Sequence, residues 1–239
     1  MVPELTVYLV DELIWETPTV FRLKLTSENG RIFDFLPGQF AMLGLPYQGQ
    51  VVKRAYSISN WPAAKDYLEF TIRVTGQFSQ ALSQKKPGDQ VLVQGPYGLF
   101  IFDKNIVKKA VFLAGGVGIA PEKSMIEYIK DQKLQIPVWL FYANRSPDEV
   151  AYFEELSQMT KNYPWFKTIL AVDNPDDNWQ QAVGFVNQDL MEEHFNNWLD
   201  STFFVCGPPA FVEATTQIIK QKGVDPKNIK TERFVGLDK

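Results

Sequence analysis

The pattern of apolar residues changes at about residue 103, and this change constrains the fold more than any other feature of the chain. Before it, apolar and polar residues alternate in short runs, as they do from Leu68 to Val74. Such alternation is typical of strands with one buried face. After it, runs such as Val138 to Ala143 are continuously apolar, which is typical of strands buried on both faces.

Two kinds of sheet in one chain predict two domains, and 239 residues suffice for two domains of ordinary size. We predict a first domain over residues 1–103 and a second over residues 107–239. The segment Asp103-Lys104-Asn105-Ile106 is the predicted linker.

The first domain is predicted to be a six-stranded antiparallel barrel. Short strands separated by turn sequences such as Pro37-Gly38 and Lys86-Pro87-Gly88-Asp89, with little helix, favour a small closed barrel. One short helix is expected to begin near Phe78 and Ser79. The candidate strands are Thr6–Val10, Phe21–Leu25, Gln39–Leu43, Val51–Ile58, Leu68–Val74 and Gln90–Gln94.

The second domain is predicted to be a doubly wound parallel sheet, because buried strands alternate with helical segments. Ser146-Pro147-Asp148-Glu149 has the sequence of a capping box and predicts a helix through Met159. The other candidate helices are Pro121–Lys133 and Ala210–Lys222, and the candidate strands are Ala110–Ala114, Val138–Ala143, Phe166–Val172 and Thr202–Cys206.

Composition excludes several kinds of protein. A net charge of −4 argues against a nucleic-acid partner, and no run is long and apolar enough for a membrane span. The N-terminus lacks the features of a signal peptide, so a cytoplasmic location is expected. With one cysteine, Cys206, and one histidine, His194, the chain is expected to hold neither an iron–sulfur cluster nor another metal site. Any redox chemistry then requires an organic cofactor.

The stretch Arg54-Ala55-Tyr56-Ser57 combines a cation, an aromatic ring and a hydroxyl at the end of a predicted strand. Side chains alternate along a strand, so Arg54 and Tyr56 are expected on one face. A guanidinium can grip a phosphate and a phenol ring can pack on a heterocycle. The alternative is a surface arginine beside a half-buried tyrosine.

The turn Gly115-Gly116-Val117-Gly118 joins a buried strand to a helix, where backbone N–H groups can bind a pyrophosphate. It differs from the common dinucleotide fingerprint. Pro121 stands where a third glycine would be, and the next strand ends in Asn144-Arg145 rather than an acid. The alternative is a tight structural turn that needs glycine.

Two further turns are candidates for cofactor binding. The N–H groups of Gly76-Gln77-Phe78-Ser79 and the Ser79 hydroxyl can bind a second pyrophosphate, or Ser79 can be an ordinary helix cap. Cys206-Gly207-Pro208-Pro209 ends a buried strand at the edge where ligands of such sheets bind. A free cysteine is more often a small buried apolar residue.

Taken in order, these motifs resemble the ferredoxin–NADP reductase superfamily. The resemblance also includes Pro37-Gly38-Gln39-Phe40, Gly95-Pro96-Tyr97-Gly98 and Glu232-Arg233-Phe234, and it covers nearly the whole chain from residue 37. It implies a flavin-binding barrel followed by a nicotinamide-dinucleotide domain. The cofactors implied are FAD, with FMN as the less favoured flavin, and NADH or NADPH.

The resemblance also implies roles for individual residues. Arg54 would hold the flavin phosphates, Tyr56 would pack on the flavin ring, and Ser57 would lie near its reactive nitrogen N5, with Asn60 as a further candidate. Cys206 would lie beside the nicotinamide and orient it. Glu232 and Phe234 resemble a C-terminal element that approaches the flavin, although residues 235–239 extend beyond it here.

The predicted function is an NAD(P)H-dependent flavoprotein reductase that passes electrons to a separate acceptor. The acceptor is a ferredoxin, a cytochrome, an oxygenase component or a small molecule. The alternatives are the electron-input subunit of a larger redox complex, a reductase of free flavin or ferric chelates, and a non-catalytic module that senses dinucleotides. Arginine at the position of Arg145 would normally favour NADPH. Against this, the segment from Tyr142 to Asp148 resembles relatives that use NADH, and Asp148 places a negative charge near the site of a 2′-phosphate, so NADH is favoured and NADPH tolerated.

Overall fold

The computed structural model describes residues 3–27 and 30–234. Its residues form two compact units. Among the described residues, the first contains those up to Phe102 together with residues 120–132, and the second contains residues 103–119 and 133–234. The predicted domains, 1–103 and 107–239, differ from these units mainly in the assignment of residues 120–132, and they stay a prediction.

Six antiparallel strands form the sheet of the first unit, in the order β4-β3-β6-β1-β2-β5. An isolated bridge between Ile58, just after β4, and Phe70 in β5 connects the two ends of this order and closes the barrel. The predicted antiparallel barrel is thereby confirmed. The strands are β1 (Thr6–Trp15), β2 (Val20–Ser27), β3 (Phe40–Tyr47), β4 (Gln50–Ser57), β5 (Leu68–Arg73) and β6 (Gln90–Tyr97).

The barrel core is built from the residues that the alternating pattern predicted to point inward. Phe21, Leu23 and Leu25 of β2 are fully buried, and so are Leu68 and Phe70 of β5. The intervening polar residues are partly exposed. Helix α1 (Gln77–Ser83) follows β5, as predicted, and buries Ser79 and Leu82.

Helix α2 (Ile119–Asp131) is grouped with the barrel and contacts it through several side chains. The Ser124 hydroxyl donates a hydrogen bond of 2.6 Å to the backbone oxygen of Asn60. The rings of Phe102 and Tyr128 meet edge to face with centroids 6.2 Å apart. These contacts explain why most of a helix that lies between two strands of the second unit belongs to the first.

All strand pairs in the sheet of the second unit are parallel, and their order is β10-β9-β8-β7-β11-β12. The chain starts in the middle with β7 and builds outward in both directions, which confirms the predicted doubly wound sheet. The strands are β7 (Ala110–Gly115), β8 (Val138–Asn144), β9 (Phe166–Val172), β10 (Ala182–Val183), β11 (Thr202–Gly207) and β12 (Ile229–Arg233). The remaining helices are α3 (Phe153–Asn162), α4 (Gln188–His194) and α5 (Pro209–Gln221).

The start of helix α3 was predicted wrongly. Ser146 does not cap a helix, because its hydroxyl donates to the Asp148 carboxylate at 2.5 Å, and residues Pro147–Glu149 form only a 3-10 turn. The helix begins at Phe153, preceded by Tyr152 in the left-handed region at φ 62°. Strands β10 and β12 were not predicted, whereas His194 is an exposed helical residue as expected.

Candidate functional site

Strand β4 presents the four residues singled out in the barrel sequence. Arg54 and Tyr56 are half-buried, Ala55 between them is exposed, and Ser57 is buried. Arg54 and Tyr56 pair with Leu43 and Ala41 of β3, so they share one face of the strand, as alternation requires. The predicted pairing of a cation with an aromatic ring is therefore present in the structure.

The ring of Phe78 in helix α1 joins these two side chains. It stacks on the ring of Tyr56 at a centroid distance of 6.2 Å and an angle of 18°. The guanidinium carbon of Arg54 lies 5.9 Å from the same ring. Gly76 and Gln77 lie directly before Phe78, at the start of α1. The fold thus brings the two candidate flavin-binding sequences together.

Arg54 retains hydrogen-bonding capacity for a ligand. Its Nη1 donates to the backbone oxygen of Lys53 at 3.1 Å. Its Nε is buried and has no hydrogen-bond partner among the described residues. Buried donors in native proteins are normally satisfied, and guanidinium groups bind phosphate through several N–H groups at once. The arrangement fits a phosphate-bearing flavin.

Ser79 is committed to the turn that starts helix α1. Its hydroxyl accepts hydrogen bonds from the N–H groups of Thr75 and Gly76, at 3.0 and 3.1 Å, and donates to the Gly76 oxygen at 3.0 Å. A hydroxyl has one donor and two acceptor sites, so all are used. The contacts favour the capping alternative for Ser79, and its side-chain role in flavin binding stays a prediction.

Asn60 also has a structural role. Its side-chain nitrogen donates to the Tyr67 oxygen at 2.9 Å, and its side-chain oxygen accepts from the Glu69 N–H at 2.8 Å. These bonds hold the segment after β4 against β5.

Burial, followed by the charge of Glu69, raises the pKa of the Tyr67 phenol, which therefore stays neutral at physiological pH.

The remaining barrel motifs are accounted for by packing. Gly38 has φ +99°, and a Cβ there would lie 2.1 Å from the Phe100 oxygen and 2.3 Å from Cε of Met125 in α2. The Gln39 side chain accepts from the Leu36 N–H and donates to the Gly98 oxygen. These residues join the two motifs and provide the surface on which α2 packs.

In the second unit, the glycine turn lies where two neighbouring strands end. Residues Gly116–Gly118 form a 3-10 turn directly after β7, with Gly116 at φ 54°. A Cβ on Gly118 would lie 2.1 Å from the backbone oxygen of Cys206 at the end of β11. β7 lies between β8 and β11, so the turn is at the topological switch point where open α/β sheets bind ligands.

Cys206 and the C-terminal element meet at the same edge. The Cys206 side chain is fully buried and is paired in register with Ala114 on one side and Glu232 on the other. Gly207 has φ +153°, and its backbone oxygen accepts a hydrogen bond from the Phe234 N–H at 3.0 Å. Pro208 then caps helix α5. Residues 235–239, which extend beyond the predicted Glu232–Phe234 element, lie outside the described residues.

The outer strands add polar and aromatic groups to this edge. Asn144 is the last residue of β8 and is buried, whereas Arg145 is exposed. The Asp173 N–H, just after β9, donates to the Asn144 oxygen at 3.2 Å. Phe185 follows β10 and is 75% exposed.

Asp173 and Phe185 were not singled out in the sequence. The position of Phe185 at the ligand-binding edge of the sheet can be recognised only once strand β10 is known.

In residues 3–27 and 30–234, no group of three or more His, Cys, Asp or Glu side chains is placed to hold a metal ion.

Comparison with known proteins supports two cofactor-binding domains. Residues 9–102 match the family model of the oxidoreductase FAD-binding domain, and residues 112–217 match that of the oxidoreductase NAD-binding domain. A curated relative from Pseudomonas aeruginosa, one of the subunits of the Na(+)-translocating NADH-quinone reductase, is 34% identical over 203 residues. The match covers 78% of this chain and 50% of the relative, so the chain spans about half the length of such relatives.

Solved structures show the same fold over almost the whole chain. The cytochrome b5 reductase domain of Ulva prolifera nitrate reductase superimposes with a TM-score of 0.87 at 22% identity, covering 96% of this chain and 97% of that one. A ferredoxin NADP+ reductase from Neisseria gonorrhoeae with bound FAD and NADP gives a TM-score of 0.83 at 21% identity, covering 96% and 98%.

Proposed function

Because this chain belongs to the ferredoxin–NADP reductase superfamily, as an oxidoreductase with FAD-binding and NAD-binding domains, we propose that it is an NADH-preferring flavoprotein reductase that supplies electrons to a separate acceptor. When bound, FAD supplies hydride acceptance from the nicotinamide and onward transfer of electrons singly or in pairs. The protein supplies binding and orientation.

The cluster of Arg54, Tyr56 and Phe78 is the observation that carries this proposal. It combines a buried guanidinium nitrogen without a partner among the described residues and two stacked aromatic rings. An anionic group with an attached flat heterocycle satisfies both features. In the proposal Arg54 binds the flavin phosphates, the backbone of Gly76 and Gln77 lies alongside them, and Ser57 faces the reactive edge of the ring.

The second unit holds the dinucleotide in this proposal. The backbone of Gly115, Gly116, Val117 and Gly118 receives the pyrophosphate, since the turn is at the switch point of the sheet. Cys206 and the Gly207-Pro208 turn orient the nicotinamide. Glu232, paired with Cys206 in register, and Phe234, bonded to Gly207, complete that end.

NADH is the preferred donor in this proposal because acidic side chains accompany Arg145. Asp148 follows it in the next turn, and Asp173 lies directly after the neighbouring strand, bonded to Asn144 through the backbone. An added 2′-phosphate carries nearly two negative charges and would be repelled by these carboxylates. The 2′-hydroxyl of NADH can instead donate a hydrogen bond to one of them.

The acceptor is a protein electron carrier, such as a ferredoxin, a cytochrome or an oxygenase component, or a small molecule. A second candidate function is the electron-input subunit of a larger complex, because the similar curated proteins are named as subunits of an NADH-quinone reductase. None of the helices within residues 3–27 and 30–234 has the length and apolar character to cross a bilayer. The cytoplasmic location stays a prediction.

The decisive experiment is a visible spectrum of the purified protein, followed by anaerobic addition of NADH. We expect a flavin spectrum at close to one flavin per chain, and bleaching of that spectrum by NADH. A protein that purifies without flavin and does not bind added FAD would refute the proposal. A flavin that stays oxidised under excess NADH and NADPH would point instead to the dinucleotide-sensing alternative.

A further inference from the structure

Asn144 is a buried amide whose polar atoms are not used by the protein. Its side chain is 7% exposed, and neither the amide nitrogen nor the amide oxygen has a hydrogen-bond partner among the described residues. The nearby backbone bond, from the Asp173 N–H, goes to the main-chain oxygen of Asn144 and leaves the side chain unused. Buried groups of this kind are normally satisfied by a ligand or an ordered water.

The strand register places this amide next to the glycine turn. Gly115 of β7 pairs with Ala143 of β8, so Asn144 is level with Gly116 on the adjacent strand. Neighbouring strands lie about 4.8 Å apart, which is within reach of a ligand bound at the turn.

Asn144 also shares a face of the sheet with Cys206. Val111, Phe141 and Val205 belong to the apolar cluster on one face. Because side chains alternate along each strand, Asn144 and Cys206 both lie on the opposite face. The amide therefore occupies the same edge and the same face as the groups assigned to the dinucleotide.

We propose that the Asn144 carboxamide binds the ADP half of the dinucleotide by donating a hydrogen bond to a phosphate oxygen, and that in the ligand-free protein this unsatisfied amide lowers stability. The inference rests on the proposed function, because it presumes that a dinucleotide binds at the glycine turn. It adds a direct side-chain contact to a turn that otherwise offers only backbone N–H groups.

The test measures ADP-ribose binding by calorimetry and the melting temperature of the flavin-loaded protein without dinucleotide. We expect Asn144→Ala and Asn144→Leu each to weaken ADP-ribose binding about tenfold, which corresponds to about 1.4 kcal/mol. The melting temperature of Asn144→Leu should be unchanged or raised, since an apolar side chain removes a buried unsatisfied group. Asn144→Asp should bind most weakly of the three, because its carboxylate repels the phosphate.

Asn60→Ala is the matched control, since that buried amide is paired with Tyr67 and Glu69. It should lower the melting temperature. If Asn144→Leu and Asn144→Ala lower it as well, or if both bind ADP-ribose as tightly as the natural protein, the inference is wrong. If the natural protein itself binds neither ADP-ribose nor NAD+, the proposed function fails at the dinucleotide site.

Discussion

Arg54 donates to a backbone oxygen on one side and faces an aromatic ring on the other, which leaves its buried Nε–H oriented but without a partner among the described residues. Such preorganisation lowers the conformational entropy that a ligand must overcome. Removal of Arg54 is therefore an informative test of flavin binding. Among the described residues the Arg54 side chain forms no ion pair, so its loss breaks no ion pair within that part of the protein.

Arg54→Ala is expected to purify with little flavin, because a charge-assisted, bidentate contact to phosphate contributes about 1.5–3 kcal/mol. Flavin per chain is measured by absorbance after desalting. Lys53→Ala is the control: Lys53 is an exposed cation on the same strand that bonds to Gln94. Equal flavin content in the two variants would contradict the assignment of Arg54.

Cys206→Ala is expected to leave flavin content unchanged and to slow reduction of the flavin under saturating NADH. The thiol is proposed to position the nicotinamide, and small displacements of reacting groups cost about tenfold or more in rate. Stopped-flow bleaching at equal flavin content measures the effect. An unchanged rate would make Cys206 a packing residue only.

Among the elements, glycine turns decide how closely neighbouring segments approach. Gly38 and Gly49 are both in the barrel and both have positive φ, +99° and +76°. A Cβ at Gly38 would collide with Phe100 and Met125, whereas nothing lies within 4 Å of a Cβ at Gly49. The pair therefore separates backbone strain from packing.

Gly49→Ala should cost about 1–2 kcal/mol, the strain of a left-handed alanine. Gly38→Ala should cost about 1–3 kcal/mol more, because the backbone oxygen of Phe100 would lie 2.1 Å from the new Cβ and must shift, whereas the end of the Met125 side chain can turn aside. Chemical unfolding of the flavin-loaded proteins gives both values. Equal losses would mean that the backbone at Phe100 moves away from Gly38 without cost.

The same physical terms explain which elements could be predicted from the sequence. The runs around Leu68 and Val138 carry the alternating or continuous apolar patterns of strands, and both were located within one or two residues. Strand β12 was missed because IKTER has little apolar periodicity on an edge strand. The start of α3 was missed because the Ser146 hydroxyl bonds to Asp148, a choice that local sequence does not determine.

The candidate site was predictable wherever its chemistry lies in a short motif. The Arg54 and Gly116 segments each appear as a contiguous run of suitable residues. The stacking of Phe78 on Tyr56 and the unsatisfied amide of Asn144 depend on contacts, or on their absence, between segments that are distant in sequence. The cap at Ser79 was one of two alternatives that the sequence left open. No spacing rule in the sequence contains that information.

For the whole molecule, the most testable property is the choice of electron donor. NADH should reduce the flavin with a larger second-order rate constant than NADPH. The double variant Asp148→Asn/Asp173→Asn should bring the rate constant for NADPH closer to that for NADH, because it removes two charges that repel a 2′-phosphate. The rates are measured anaerobically with both donors. A tenfold preference for NADPH, about 1.4 kcal/mol, that disappears in Arg145→Ala would show the opposite specificity.

Helix α2 sets a limit on how this protein can be divided by genetic engineering. Residues 120–132, which include all of α2 except Ile119, are grouped with the barrel, although β7 before them and β8 after them belong to the other unit. A gene fragment that stops at residue 103 would encode a barrel without the helix that packs against Gly38 and Asn60. Chimaeras that exchange barrels between relatives must therefore transplant α2 along with the barrel, or redesign the surface it covers.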